Sequence, residues 1–289
     1  MSVSPRFRFA IWLNLSFICF AALVGIVRHL SETHGIDIFV ISFWRNIFSV
    51  TVFLPWLFRT GLPAVRTIHH GRLLFRATLM VVSSTSIFFA SVLLPLAEAT
   101  ALTFTTPLFT IILAAVFLAE RVSTQQVVAI TIGLLGVAVI LRPGGAVFSI
   151  HALWPLLSAA TFAGVVVVSK TLTQRMTPEA IGFWLAAYMT PISFVPALVF
   201  WQWPTSIQFA WFVVLGIAAS LNMYFITRAL RLGNASATAV WDFVRLPWVA
   251  AVGLIFFAQQ PDLWMWVGAT IIFLAVFWTT ASDARRAAQ

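Results

Sequence analysis

The sequence predicts an all-α polytopic membrane protein of ten transmembrane helices, arranged as two inverted five-helix halves. Three observations carry this reading. Of 289 residues, 61% are apolar and only 9% are charged, against about a quarter charged in a soluble domain. So few charges cannot cover a water-facing surface, which excludes a soluble globular enzyme, a disordered chain and a nucleic-acid-binding domain. Apolar stretches recur near the roughly 20 residues that a helix needs to cross hydrocarbon. Ten of them leave no room for a soluble domain of about 100 residues. The net charge of +9 is then best read as loop residues that set orientation.

The spans are 8–28, 37–58, 73–94, 97–119, 124–141, 149–170, 179–201, 206–227, 235–257 and 263–281. Backbone groups in lipid must be satisfied internally, so each is a helix. The alternation of a transmembrane barrel is absent. The first span follows Arg6 and Arg8, outruns a signal-peptide core and lacks a small-residue exit. It offers Asn14, Ser16, Phe17 and Phe20, and holds the single cysteine, Cys19, so no intramolecular disulfide forms. The second carries Arg45 about 12 Å from its start. The third carries Ser83, Ser84, Thr85 and Ser86, then Phe88 and Phe89. The fourth opens at Glu98 and contains Pro107. In the fifth, Ala129, Gly133 and Gly136 suit close helix contact, internal or between two copies, and oligomeric state stays open. The seventh brings Trp184 and Tyr188 one turn apart, with Thr190; the eighth brings Asn222 and Tyr224. The ninth holds Trp241, Asp242, Arg245 and Pro247.

With the N-terminus inside, thirteen Lys and Arg fall on the inner side: Arg6, Arg8, Arg59, Arg66, Arg72, Arg76, Arg121, Lys170, Arg175, Arg228, Arg231, Arg285 and Arg286. Only Arg28 and Arg142 fall outside, and Arg45 and Arg245 lie within spans. Both termini are therefore expected in the cytoplasm, with the chain in the bacterial inner (plasma) membrane.

Intramembrane charges face a partner or a wet cavity. Asp242 and Arg245 share one helical face at i,i+3. They form either an ion pair that locks packing or a substrate-facing pair, in which Arg45 or Arg245 grips a carboxylate with its rigid fork. Pro107 and Pro247 each remove a backbone donor within a span, and so kink it. The kink either shapes packing or frees carbonyls for a ligand. Asn14, Phe17, Ser83, Phe88, Trp184, Tyr188, Asn222, Tyr224 and Trp241 complete a candidate pocket of amides, hydroxyls and aromatic walls. For any single Ser or Thr the competing reading is helix packing and for any single Phe or Trp it is lipid contact, while Asn222 and the two tyrosines are the more pointed candidates.

The fourth and ninth spans are alike: Pro107 and Glu120 map onto Pro247 and Gln260 with one shift of 140. The stretch Leu94-Pro95-Leu96-Ala97-Glu98-Ala99-Thr100-Ala101-Leu102, then Pro107-Leu108-Phe109 and Leu118-Ala119-Glu120-Arg121, resembles the end of an EamA repeat of the drug/metabolite transporter superfamily. Phe43-Trp44-Arg45 is similar to the F-x-R pattern of the same repeat. The resemblance implies repeats at 1–145 and 146–289, with spans one to four and six to nine around a central site. It also implies carriage of small metabolites.

The expected function is therefore secondary transport by alternating access, as export of amino acids, aromatic or hydrophobic ones included. Uptake or exchange of a nucleoside-type metabolite, such as S-adenosylmethionine or a nucleotide sugar, is the alternative. A polytopic lipid-modifying enzyme is the second alternative, although no H-E-x-x-H, G-x-S-x-G or Walker A run occurs. No cofactor, metal or nucleic acid is expected; the partners are a small-molecule substrate and the lipid bilayer.

Overall fold

The computed structural model describes residues 5–94, 96–119, 123–141, 150–233, 238, 241–258, 264, 267–268, 270–271 and 274. Glu120, Arg121, Arg142, most of the tenth span and the side chains of Glu98, Pro107 and Ala129 lie outside the described residues. Among the described residues every regular element is helical.

Helix α1 (Pro5–His34) ends at Gly35, whose φ of +63° suits a residue without Cβ. Helix α2 (Ile38–Thr60) starts where the Asp37 side chain accepts the Phe39 N–H at 2.8 Å, and it closes at Gly61. Helix α3 (His70–Leu93) follows a 3₁₀ turn at Leu62–Val65. The fourth span comes next, as α4 (Leu96–Thr103) and α5 (Thr106–Leu118), then α6 (Thr124–Leu141). The second half repeats the order with α7 (Leu153–Thr173), α8 (Pro178–Val199) and α9 (Ser206–Leu232). Thr205 and Gln208 make a reciprocal capping box at the head of α9. The ninth span ends as α10 (Arg245–Phe257), entered through a 3₁₀ turn at Asp242–Val244. Among the described residues six helices are long and apolar enough to cross a membrane: α1, α2, α3, α7, α8 and α9.

The fourth and ninth spans are not the continuous, kinked helices that the sequence suggests. Both are broken, and each proline stands in the first turn of the segment after the break: Pro107 is the second residue of α5 and Pro247 the third of α10. A first-turn position needs no intrahelical N–H, so proline is tolerated there. Upstream, the hydroxyls of Thr103 and Thr106 bond back to the carbonyls of Thr100 and Thr103, both at 2.6 Å, and compete with the helix ladder. Each second segment is 13 residues long and closes on an alanine at φ +50°, Ala119 or Ala258. These ends match at a shift of 139, one less than the prolines suggest.

The halves interlock. Helix α1 packs on α9 as α7 packs on α3; α2 on α9 as α8 on α3; α10 on α1 as α5 on α7; α2 meets α8 on the exchange axis, and α4 meets α10 across the halves. The core therefore lies between the halves. One end of the bundle gathers Arg8, Arg59, Arg66, Arg72, Lys170, Arg175, Arg228 and Arg231, and it is called the basic end below. Arg76 departs from its expected inner-loop place. It stands inside α3 and is 1% exposed.

Candidate functional site

At mid-bundle two small cavities of about 40 Å³ each adjoin, sharing Leu23, Arg45, Met80 and Asn222 as walls. A third, of about 20 Å³, joins through Thr106 and Phe162 and reaches Phe17 and Asp242. Each is roomy enough for about a water or a few. A metabolite enters only when the helices separate.

Arg45 sits at the junction, 3% exposed. Its Nε and Nη2 both donate to Asn46 Oδ1, at 3.1 and 2.8 Å, and Nη2 also donates to Ser84 Oγ at 3.2 Å. Asn46 is fixed in turn across the half-boundary, donating to Ser193 Oγ at 2.9 Å and to the Met189 carbonyl at 3.4 Å. The guanidinium lies over the Phe88 ring at 5.0 Å. Its Nη1 has no hydrogen-bond partner among the described residues, and no carboxylate lies within ion-pair distance. A buried guanidinium with an unused donor pair is a ready site for a carbonyl, carboxylate or phosphate oxygen.

Arg245 faces the same space from the second half. It pairs with Asp242 at 3.2 Å, donates to Thr103 Oγ1 at 2.9 Å, and lies over Phe20 and Phe104 at 4.4 and 5.5 Å. Its Nε has no hydrogen-bond partner among the described residues. The break in the fourth span brings Thr103 to Arg245, and the break in the ninth points Arg245 inward at the head of α10. Asn222 donates to the carbonyl and Oγ of Ser16, at 2.7 and 3.0 Å, which leaves its own oxygen as an acceptor in the wall. Ser83 ties α3 to Ser158 of α7 at 3.1 Å.

Of the candidates, Arg45, Ser83, Phe88, Asn222 and Arg245 thus converge on the adjoining cavities, and Phe17 and Asp242 line the third. The others stand apart. Asn14 accepts from Trp248 Nε1 at 3.4 Å between α1 and α10. Trp184 and Tyr188 stack near the basic end, where His70 Nδ1 and the Tyr188 hydroxyl are 2.7 Å apart. Tyr224 donates to Glu179 at 3.2 Å and accepts from Arg228 Nε at 2.8 Å. Trp241 meets Phe9 edge-on at 6.3 Å. Pro247 is exposed and lines none of the three cavities.

Sequence reasoning missed Asn46, Met80, Thr103, Phe162 and Met223. Asn46 could have been found, since an amide beside an intramembrane arginine is itself costly in lipid. Nothing in a linear pattern marks the methionines.

The profile of the EamA-like transporter family matches residues 8–142 and again 149–281. A riboflavin transporter of Rhizobium johnstonii is 31% identical over 278 residues, covering 96% of this chain and 92% of its own. An S-adenosylmethionine uptake transporter of Rickettsia felis is 28% identical, covering 95% and 92%. A pseudopaline exporter of Pseudomonas aeruginosa is 26% identical, covering 90% and 92%. One solved crystal structure superposes with a TM-score of 0.72 at 19% identity, over 96% of this chain and 99% of that one.

Proposed function

The chain belongs to the EamA-like transporter family and is a secondary transporter of that type, and on that premise we propose that it carries a flat, oxygen-rich heteroaromatic metabolite of the flavin kind. The observation that carries this reading is Arg45, which lines both central cavities, lies over the Phe88 ring and has no hydrogen-bond partner for its Nη1 among the described residues. A ring bearing adjacent carbonyls would take those donors and stack on Phe88 and Phe20, and the Asn222 oxygen would accept a ring N–H or a hydroxyl. Among the described residues, of the buried arginines Arg45, Arg76 and Arg245, only Arg245 has a carboxylate partner. That surplus of positive charge favours a neutral or anionic solute over one bearing a fixed sulfonium, as S-adenosylmethionine does.

Movement is by alternating access: the interlocked halves rock about the cavity, opened first to one side and then to the other. The basic end faces the cytoplasm of a bacterial inner membrane, and the direction is uptake, as the name of the S-adenosylmethionine uptake transporter states for that relative. The test is counterflow of labelled riboflavin in proteoliposomes. Saturable exchange that unlabelled riboflavin inhibits and S-adenosylmethionine does not is expected; absence of riboflavin exchange sinks the flavin reading.

Export of amino acids is a second reading, favoured by the Asp242–Arg245 pair at 3.2 Å, which offers one charge to each end of a zwitterion. Counterflow of labelled aromatic amino acids in the same vesicles decides it. A lipid-modifying enzyme would instead form a lipid product without moving solute.

A further inference from the structure

Arg76 is the largest side chain among the fully buried described residues, yet it lines none of the three central cavities. Its Nε donates to Ser169 Oγ of α7 at 2.6 Å. Its other contacts are at the limit of bonding: Nη1 to the Ile181 carbonyl of α8 at 3.5 Å, and Nη2 to Met223 Sδ of α9 at 4.0 Å. No carboxylate lies within ion-pair distance among the described residues. A guanidinium has five N–H donors, so most of this one's capacity is spent weakly. Fixing packing alone would be done better by an apolar side chain of similar volume.

Its place on α3 gives it meaning. Arg76, Met80, Ser84 and Phe88 recur every fourth residue and so form one stripe along α3. Phe88 lies under the Arg45 guanidinium, Ser84 accepts from Arg45, and Met80 lines both central cavities. Arg76 continues the stripe about 12 Å beyond Ser84, toward the basic end. Between it and the cavity stands Met223. Met80, Met189 and Met223 line that cavity and are half of the chain's six. Met223 is both the cavity wall and the group against Arg76 Nη2. Unbranched thioether chains swing between rotamers at little cost.

We propose that Arg76 is a second solute-binding station on the basic side of the cavity. It would receive carbonyl, carboxylate or phosphate oxygens handed on from Arg45 once Met223 swings aside. The station rests on the carrier reading but not on the flavin one, since any solute bearing such oxygens would use it.

The test needs no substrate. In a Cys19→Ser background, Met223→Cys leaves one thiol beside Arg76. That thiol is reacted in permeabilised membranes with an anionic and with a cationic methanethiosulfonate of similar size. Relative to free cysteine, the anionic reagent should be favoured about ten-fold, as fixed positive charge concentrates anions. Adding Arg76→Gln should cut that preference by about three-fold or more, whereas Arg76→Lys should keep it. No reaction with either reagent, or a preference that Arg76→Gln leaves unchanged, overturns the proposal. If Arg76→Gln does not fold, the preference in the Arg76 background decides alone, and its absence overturns the proposal. With riboflavin as the probe, Arg76→Gln should slow counterflow about ten-fold while equilibrium affinity stays within about two-fold, because Arg45 still binds. Should riboflavin not be carried, the flavin reading falls and the thiol preference still decides the station.

Discussion

Arg45 and Arg245 show how one residue type does two tasks in the same cavity. Arg45 has its Nη1 unused, whereas Arg245 is held by Asp242 and Thr103. A hydrogen bond to a charged group is worth about 1.5–3 kcal/mol. Arg45→Gln should therefore weaken solute binding about ten-fold or more, measured as the concentration of half-maximal counterflow. Arg45→Lys should not restore it, since an ammonium lacks the planar fork. The Asp242–Arg245 pair predicts non-additivity. Asp242→Asn or Arg245→Gln alone strands a buried partner and should lower stability by about 3 kcal/mol, while the double variant should lose clearly less than the sum of the two. Thermal unfolding in detergent is the measurement. Equal, additive losses would mean that the pair is not coupled, and unchanged counterflow in both folded single variants would remove it from the solute path.

Elements are set by where helices touch and where they break. Ser49 Oγ donates to the Gly216 carbonyl at 3.1 Å and Ser220 Oγ to the Ser49 carbonyl at 3.0 Å, which locks α2 against α9. A Cβ on Gly216 would stand 2.4 Å from Phe48 Cβ and 2.8 Å from its backbone carbon. Gly216→Ala should accordingly destabilise the protein by about 1–3 kcal/mol, whereas Gly71→Ala, with open space around it, should be near neutral. The left-handed alanines Ala119 and Ala258 carry the reverse expectation. Alanine at φ +50° costs about 1 kcal/mol that glycine does not. Ala258→Gly should raise the unfolding midpoint, and a lowered one would mean that the turn is held by something other than its backbone. The sequence located both broken spans through Pro107 and Pro247 but not the form of the break. Proline forbids a continuous helix; which residue restarts it is decided by neighbours such as Arg245 seated on Thr103.

Among the described residues every helix except α6 packs against one from the opposite half, so the core forms only where the two halves join. The basic end predicts orientation. In a Cys19→Ser background, single cysteines placed at Arg66 and Arg175 should label only from the cytoplasm and one at Gln202 only from outside. The opposite pattern would invert the topology. The ten apolar stretches, the all-helical class, the repeat and the intramembrane charges Arg45, Asp242 and Arg245 were all legible in the linear order. The reason is that lipid imposes length, composition and charge rules on each segment separately. Tertiary structure alone decided which candidates share a cavity. Arg45, Ser83, Phe88, Asn222 and Arg245 converge from four helices, α2 and α3 of the first half and α9 and α10 of the second, only if α3 and α9 cross the centre.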